Sequence, residues 1–142
     1  MELDQAGRCF VIVAGIGSRR GVSGEEVRAA LRGAMARHGV KLCDISLMAT
    51  PAAKGSEAGI MKAALDLGLP LVMVPQKPLE AAAARAITRS ERVVALMGVP
   101  SVAETSALAV AGQRATLLGP RFALGPVTCA LAREAEKGGD GA

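Results

Sequence analysis

Apolar and polar positions along this chain fall into blocks that predict strands and helices in turn. Phe10-Val11-Ile12-Val13-Ala14 is an unbroken apolar run. It predicts a first strand over 9–14, buried on both faces as strands of parallel sheets are. Val27, Ala30, Leu31, Ala34 and Met35 then recur at helical spacing. Ser23 and Glu26 have capping-box spacing at the start of that helix, which runs to about His38, and Gly39 is placed to cap its end. A second strand is expected over 45–49, a helix over 57–67 closed by Gly68, and a third buried strand over 69–74. Pro75-Gln76-Lys77-Pro78 reads as a turn, followed by an Ala-rich helix to about Ile87. Residues 90–97 fit a short helix and a strand equally. Ser101 and Glu104 repeat the capping-box spacing and open a helix to about Ala111, with Gly112 at its end. The last two strands are expected over 115–118 and 127–132. The segment between them is too short for a crossover helix, so they should form an antiparallel hairpin.

This order predicts an α/β fold: a three-layer α/β/α arrangement with a mostly parallel sheet and a C-terminal antiparallel hairpin at its edge. The 142 residues read as a single domain, with frayed ends over 1–8 and 134–142. No internal repeat breaks the pattern. Ligands of such sheets bind where the strands end at their carboxyl side. The turns over 15–23 and 50–56 should therefore meet there.

Composition narrows the chemistry. Half the chain (51%) is hydrophobic, yet Phe10 and Phe122 are its only aromatics. A core of Val, Ile, Leu, Met and Ala follows. Single-stranded nucleic acid is a poor partner, because such binders stack bases on aromatic rings. Cys9, Cys43 and Cys129 are odd in number and lack ligand spacing, and His38 is the sole histidine. No metal site is expected, and free thiols suit a reducing, cytoplasmic setting. The N-terminal residues do not read as a signal peptide, and no apolar run reaches membrane-spanning length, so no membrane partner is expected. The net charge of +4 fits either arginines scattered over Ala-rich helices or an acidic small-molecule ligand.

The segment Gly15-Ile16-Gly17-Ser18-Arg19-Arg20-Gly21 favours the ligand. It follows the first strand and precedes a helix, so backbone amides, a helix N-terminus and two fixed cations gather at one turn. A tight glycine turn explains the glycines without a ligand, but it does not explain two adjacent arginines. Lys54, Thr50 and Arg121 are further candidates for the same mouth. Glu104 reads as a cap partner before it reads as a general acid. Gly15-x-Gly17 begins a dinucleotide fingerprint, but Arg20 stands where the third glycine belongs. A bound nucleotide or other cofactor is therefore not expected. Ser18 has no recognisable base, and no catalytic triad can be assembled.

Several collinear stretches carry a resemblance. Gly15 to Gly21 with Ser23 and Glu26, Ala49-Thr50 with Lys54, Glu57 and Gly59, and Gly68-Leu69-Pro70-Leu71 come first. Gly98 to Glu104, Leu117-Leu118, Pro120-Arg121 and Val127 to Ala132 follow in order. Together, over residues 9–133, they resemble the CobE / CbiG C-terminal domain family of cobalamin biosynthesis. The resemblance implies a corrinoid or precorrin intermediate as ligand, with other enzymes of the pathway as partners. CbiG proteins hydrolyse the lactone of cobalt-precorrin-5A and release acetaldehyde; they carry N-terminal regions that this sequence lacks. The chain is accordingly more similar to the stand-alone CobE members, which implies an accessory or carrier role. Two positions depart from the family pattern. Ser18 stands where Cys is frequent, and Ala52 stands where Asp is common. Both departures favour binding over hydrolysis. The expected ligand-binding residues are Gly15, Gly17, Ser18, Arg19, Arg20, Thr50, Lys54, Glu104 and Arg121.

Overall fold

The computed structural model describes residues 11–54 and 57–134, with Lys54 described by its backbone alone. Among the described residues, one sheet contains β1 (Ile12–Ser18), β2 (Ile45–Pro51), β3 (Leu71–Val74), β4 (Thr116–Leu117), β5 (Phe122–Leu124) and β6 (Val127–Arg133). The helices are α1 (Gly24–His38), α2 (Ala58–Leu67), α3 (Gln76–Ala82), α4 (Glu91–Met97) and α5 (Val102–Ala111). The strand order is β3-β2-β1-β6-β4, with β5 also pairing with β6. β1, β2 and β3 are parallel neighbours, and β6 runs antiparallel to β1, β4 and β5. β6 alone therefore points against the rest. The α/β class, the mostly parallel sheet and the C-terminal hairpin are all as the sequence predicts.

Burial divides the sheet into two faces. Ala14, Ile16, Met48, Cys129 and Leu131 pack beneath Val27 and Leu31 of α1 and Ile60 of α2. Val13, Ala49 and Ala132 pack beneath Leu79 of α3 and Ala107 and Leu108 of α5. Ser23 caps α1 as its spacing implies. Its hydroxyl accepts from the Glu26 N–H, and the Glu26 carboxylate accepts in return from the Ser23 N–H. Gly39 and Gly68 close α1 and α2 in left-handed geometry.

Several boundaries differ from the sequence reading. β1 extends through Ser18, so Gly15 and Gly17 lie in the strand and not in the turn. Cys9 and Phe10 lie outside the described residues, as does the expected fraying over 1–8 and beyond 134. β3 is an edge strand with Val72 and Met73 exposed, not a buried one. Pro75 is the N-cap of α3 and Pro78 sits in its first turn, where a missing N–H breaks no helical bond. Residues 91–97 are helical. The C-terminal antiparallel pair stands at the edge of the sheet, as expected: β4 is the outermost strand and β6 joins it to β1.

Cys129 is completely buried, and burial pushes its thiol from 9.0 up to about 12. Cys43 is exposed. Alkylation at neutral pH followed by peptide mass spectrometry should therefore modify Cys43 and spare Cys129 until the protein unfolds. Because the folded value lies above the unfolded one, the stability linked to this thiol is complete below pH 9. It falls away as pH climbs towards 12. Cys129→Ala should remove that part of the alkaline loss.

Candidate functional site

A cleft of about 590 Å³ opens at the carboxyl end of β1. Its geometry begins with two glycines. An added Cβ at Gly15 would sit 2.0 Å from the Ala103 carbonyl oxygen, and one at Gly17 would sit 2.5 Å from Val102 Cγ2. Their absence lets α5 lie directly on β1. The first turn of α5 thus comes down beside the end of the strand, and Val102 becomes part of the cleft wall.

The chain leaves β1 at Ser18, and the Arg19 N–H donates to the Pro126 carbonyl at 3.0 Å. That bond extends the β1–β6 ladder past Ser18 and seats Arg19 and Arg20 against the hairpin turn Gly125-Pro126. Arg121 enters from the other arm of the hairpin. Opposite them stands α4, capped by the Ser90 hydroxyl at its start and by Gly98, in left-handed geometry, at its end. α4 contributes Arg92, Val93, Leu96 and Met97. The result is an aliphatic wall of Val93, Leu96, Met97, Val102 and Pro126, ringed by four arginines. Arg19, Arg20 and Arg92 are exposed, and Arg121 is half-buried.

The electrostatics are one-sided. Among the described residues, none of these four guanidinium groups has a hydrogen bond or ion pair, and the lining includes no Asp, Glu or His. Glu91 is nearby in sequence, but its carboxylate pairs with Arg89 at 2.7 Å. The Ser18 hydroxyl adds a second unmet demand: Oγ is buried and finds no partner among the described residues. Buried hydroxyls left without a bond are uncommon. Four cations and an idle hydroxyl around apolar walls can take an anionic ligand with an apolar body.

Some expected site residues come together here and others do not. Gly17, Ser18, Arg19, Arg20 and Arg121 line the cleft. Gly15 is covered by α5 and does not. Thr50 is fully buried, and its hydroxyl donates to the Ile16 carbonyl at 2.9 Å, a bond that ties β2 to β1. Lys54 ends a one-turn helix, Ala52–Lys54, and its side chain lies outside the described residues. The turns after β1 and β2 do meet, but through structure: the Glu57 carboxylate accepts from the Gly21 N–H at 3.0 Å. The open space lies on the other side of β1, towards β6 and α4. Glu104 does not line the cleft either. It is fully buried behind it, and its carboxylate accepts from three backbone amides, those of Ile87, Thr88 and Arg121.

Arg92 and Thr128 were missed by sequence reasoning. Arg92 sits in the segment whose period fits helix and strand alike. The bracket of Ser90, Glu91 and Gly98 was the available signal, since it carries an N-cap, a first-turn acid and a C-cap at helical distance. Nothing local marks Thr128, which reaches the cleft through strand pairing, Gly17 to Thr128.

Comparison with known proteins agrees with the fold and the family. Residues 12–132 match the family described as cobalamin synthesis G C-terminus. A curated relative, Protein CobE from Sinorhizobium sp, is 36% identical over 121 residues, covering 85% of this chain and 79% of the relative. The crystal structure of CobE, a protein from the cobalamin (vitamin B12) biosynthetic pathway, is similar with a TM-score of 0.85 at 33% identity. That match covers 90% of this chain and 93% of the other. The structure of cobalamin biosynthesis protein chiG from Agrobacterium tumefaciens str. C58 is similar with a TM-score of 0.68 at 43% identity, covering 85% and 96%.

Proposed function

Since this chain belongs to the cobalamin synthesis G C-terminal family and is a CobE-like protein of cobalamin biosynthesis, we propose that its cleft binds a corrinoid or precorrin intermediate and holds it for the enzymes of the pathway. The observation that carries this reading is the set of four arginines, each without a partner among the described residues, around an aliphatic wall. Corrin precursors have the complementary form. They are broad apolar rings fringed with acetate and propionate carboxylates. Guanidinium groups meet carboxylates with paired, charge-assisted hydrogen bonds. Val93, Leu96, Met97, Val102 and Pro126 would support the edge of the ring. The volume of about 590 Å³ lies within the ~300–1,000 Å³ typical of small-molecule sites.

Binding without turnover is favoured over lactone hydrolysis by the lining itself. The hydroxyls of the lining are those of Ser18, Ser90 and Thr128, and among the described residues no carboxylate or imidazole lines the cleft to take a proton from them.

A spectral titration with a corrin polycarboxylate, hydrogenobyrinic acid, tests the reading. Saturable binding is expected, weakening as salt rises because the contacts are exposed charges. Arg19→Ala with Arg20→Ala should raise Kd at least about tenfold and flatten the salt dependence. Unchanged affinity in that double variant removes the site. Acetaldehyde release from a precorrin lactone would replace the carrier role with a hydrolytic one.

A further inference from the structure

We infer that Glu104 is the positioning residue of this cleft, the group that fixes its two arginine-bearing walls relative to each other. The inference rests on the binding site proposed above, but its observations are separate. Glu104 has no exposed surface. Its spacing from Ser101 is that of a capping box, and Ser101 does cap α5, accepting from the Glu104 N–H at 3.3 Å. The carboxylate does not complete the box. One oxygen accepts from the Ile87 and Thr88 N–H groups at 2.8 and 2.9 Å, and the other accepts from the Arg121 N–H at 2.9 Å.

Those donors belong to two segments far apart in sequence, and each segment carries a cleft arginine. Ile87 and Thr88 lead into α4, which holds Arg92; Arg121 is itself part of the rim. Neither donor segment lies in a strand or helix, so no ladder or helical turn fixes it. α4 buries none of its residues fully. Val93 and Met97 pack against the core from one side, and the polar anchors of α4 are Glu104 before it, the Ser90 N–H to Pro100 carbonyl bond at 2.9 Å, and the Gln76 side chain on the Met97 carbonyl at 2.8 Å. Of these anchors, only Glu104 also holds the opposite wall. A carboxylate suits this task because both of its oxygens accept and neither donates.

Glu104→Gln tests the inference. It keeps one acceptor oxygen and turns the other into an NH₂ donor, so one of the two segments loses its acceptor and meets a donor. Kd for hydrogenobyrinic acid should rise about tenfold, with a flatter salt dependence, at a temperature where circular dichroism shows wild type and variant equally folded. A purely structural role would lower the melting temperature and leave both binding readouts alone; that result overturns the inference. Wild-type protein supplies a second measurement that holds even if the variant does not fold. Saturation with the same ligand should slow amide exchange at Ile87, Thr88 and Arg121 together, and a change at Arg121 without the other two overturns the inference. Failure of the wild type to bind the ligand removes the proposed function and this inference with it. Binding that Glu104→Gln leaves untouched removes this inference alone.

Discussion

Gly15→Ala should lower folding stability by about 4 kcal/mol or more, at the severe end of single substitutions. The added methyl would lie 2.0 Å from the Ala103 carbonyl oxygen, 2.8 Å from the Ala107 nitrogen and 3.0 Å from the Ala107 Cβ. Two of these are backbone atoms on successive turns of α5, so no side chain can rotate aside. The helix must lift from the sheet, and Val13, Ala49, Leu108 and Ala132 lose packing with it. Gly21→Ala is the control. Gly21 has φ of 79° and open space around its Cβ position, so only backbone strain of about 1 kcal/mol is added. Urea denaturation of both variants separates the two causes. Similar midpoints would mean that α5 is not seated on Gly15 as described.

Glu104→Ala should be the second severe change, lowering stability by about 5 kcal/mol and the melting temperature by roughly 20 °C. Removal of the carboxylate leaves the Ile87, Thr88 and Arg121 N–H groups without their acceptor. These three bonds are part-buried, and each donor left orphaned costs up to about 1–3 kcal/mol. A cavity is added, because Glu104 is among the largest fully buried side chains. Differential scanning calorimetry checks the size of the loss. Amide exchange checks its place: Ile87, Thr88 and Arg121 should open first, while the β1–β6 ladder stays protected. A loss within 1 kcal/mol would show that water replaces the carboxylate without penalty.

Glu104 also marks where the sequence stops being legible. Two pairs, Ser23/Glu26 and Ser101/Glu104, have the same spacing, and both serines cap their helices. Glu26 completes its box because it is exposed and has nothing better to bind. Glu104 is carried inside by Ala103 and Ala107, which face β1, and three amides from distant segments reach it there. Spacing encodes the cap but not those remote donors. The glycines teach a related lesson. Gly15 and Gly17 read as parts of a tight turn, because a turn and a close helix crossing leave the same mark in a sequence. Apolar period was a sounder guide: it placed α1, α2 and β6 within a few residues. It failed for α4, a seven-residue helix with no fully buried residue, and so hid Arg92. The cleft itself was half legible. Arg19, Arg20 and Arg121 stand at turns where long cations call for an explanation. The choice of β6 and α4, and not the turn after β2, as the opposite walls is a matter of sheet order.

That sheet order also sets a timetable for synthesis. β1 pairs on one side with β2, which leaves the ribosome soon after it. On the other side it waits for β6, whose register runs from Ile12 opposite Arg133 to Ser18 opposite Val127. Until β6 emerges, a nascent chain that pairs β1, β2 and β3 leaves the other side of β1 open. Contacts of such long range make folding slow, and exposed strand edges invite wrong pairings. β6 therefore acts as a latch, and a nascent chain stalled before Val127 should be a substrate for chaperones.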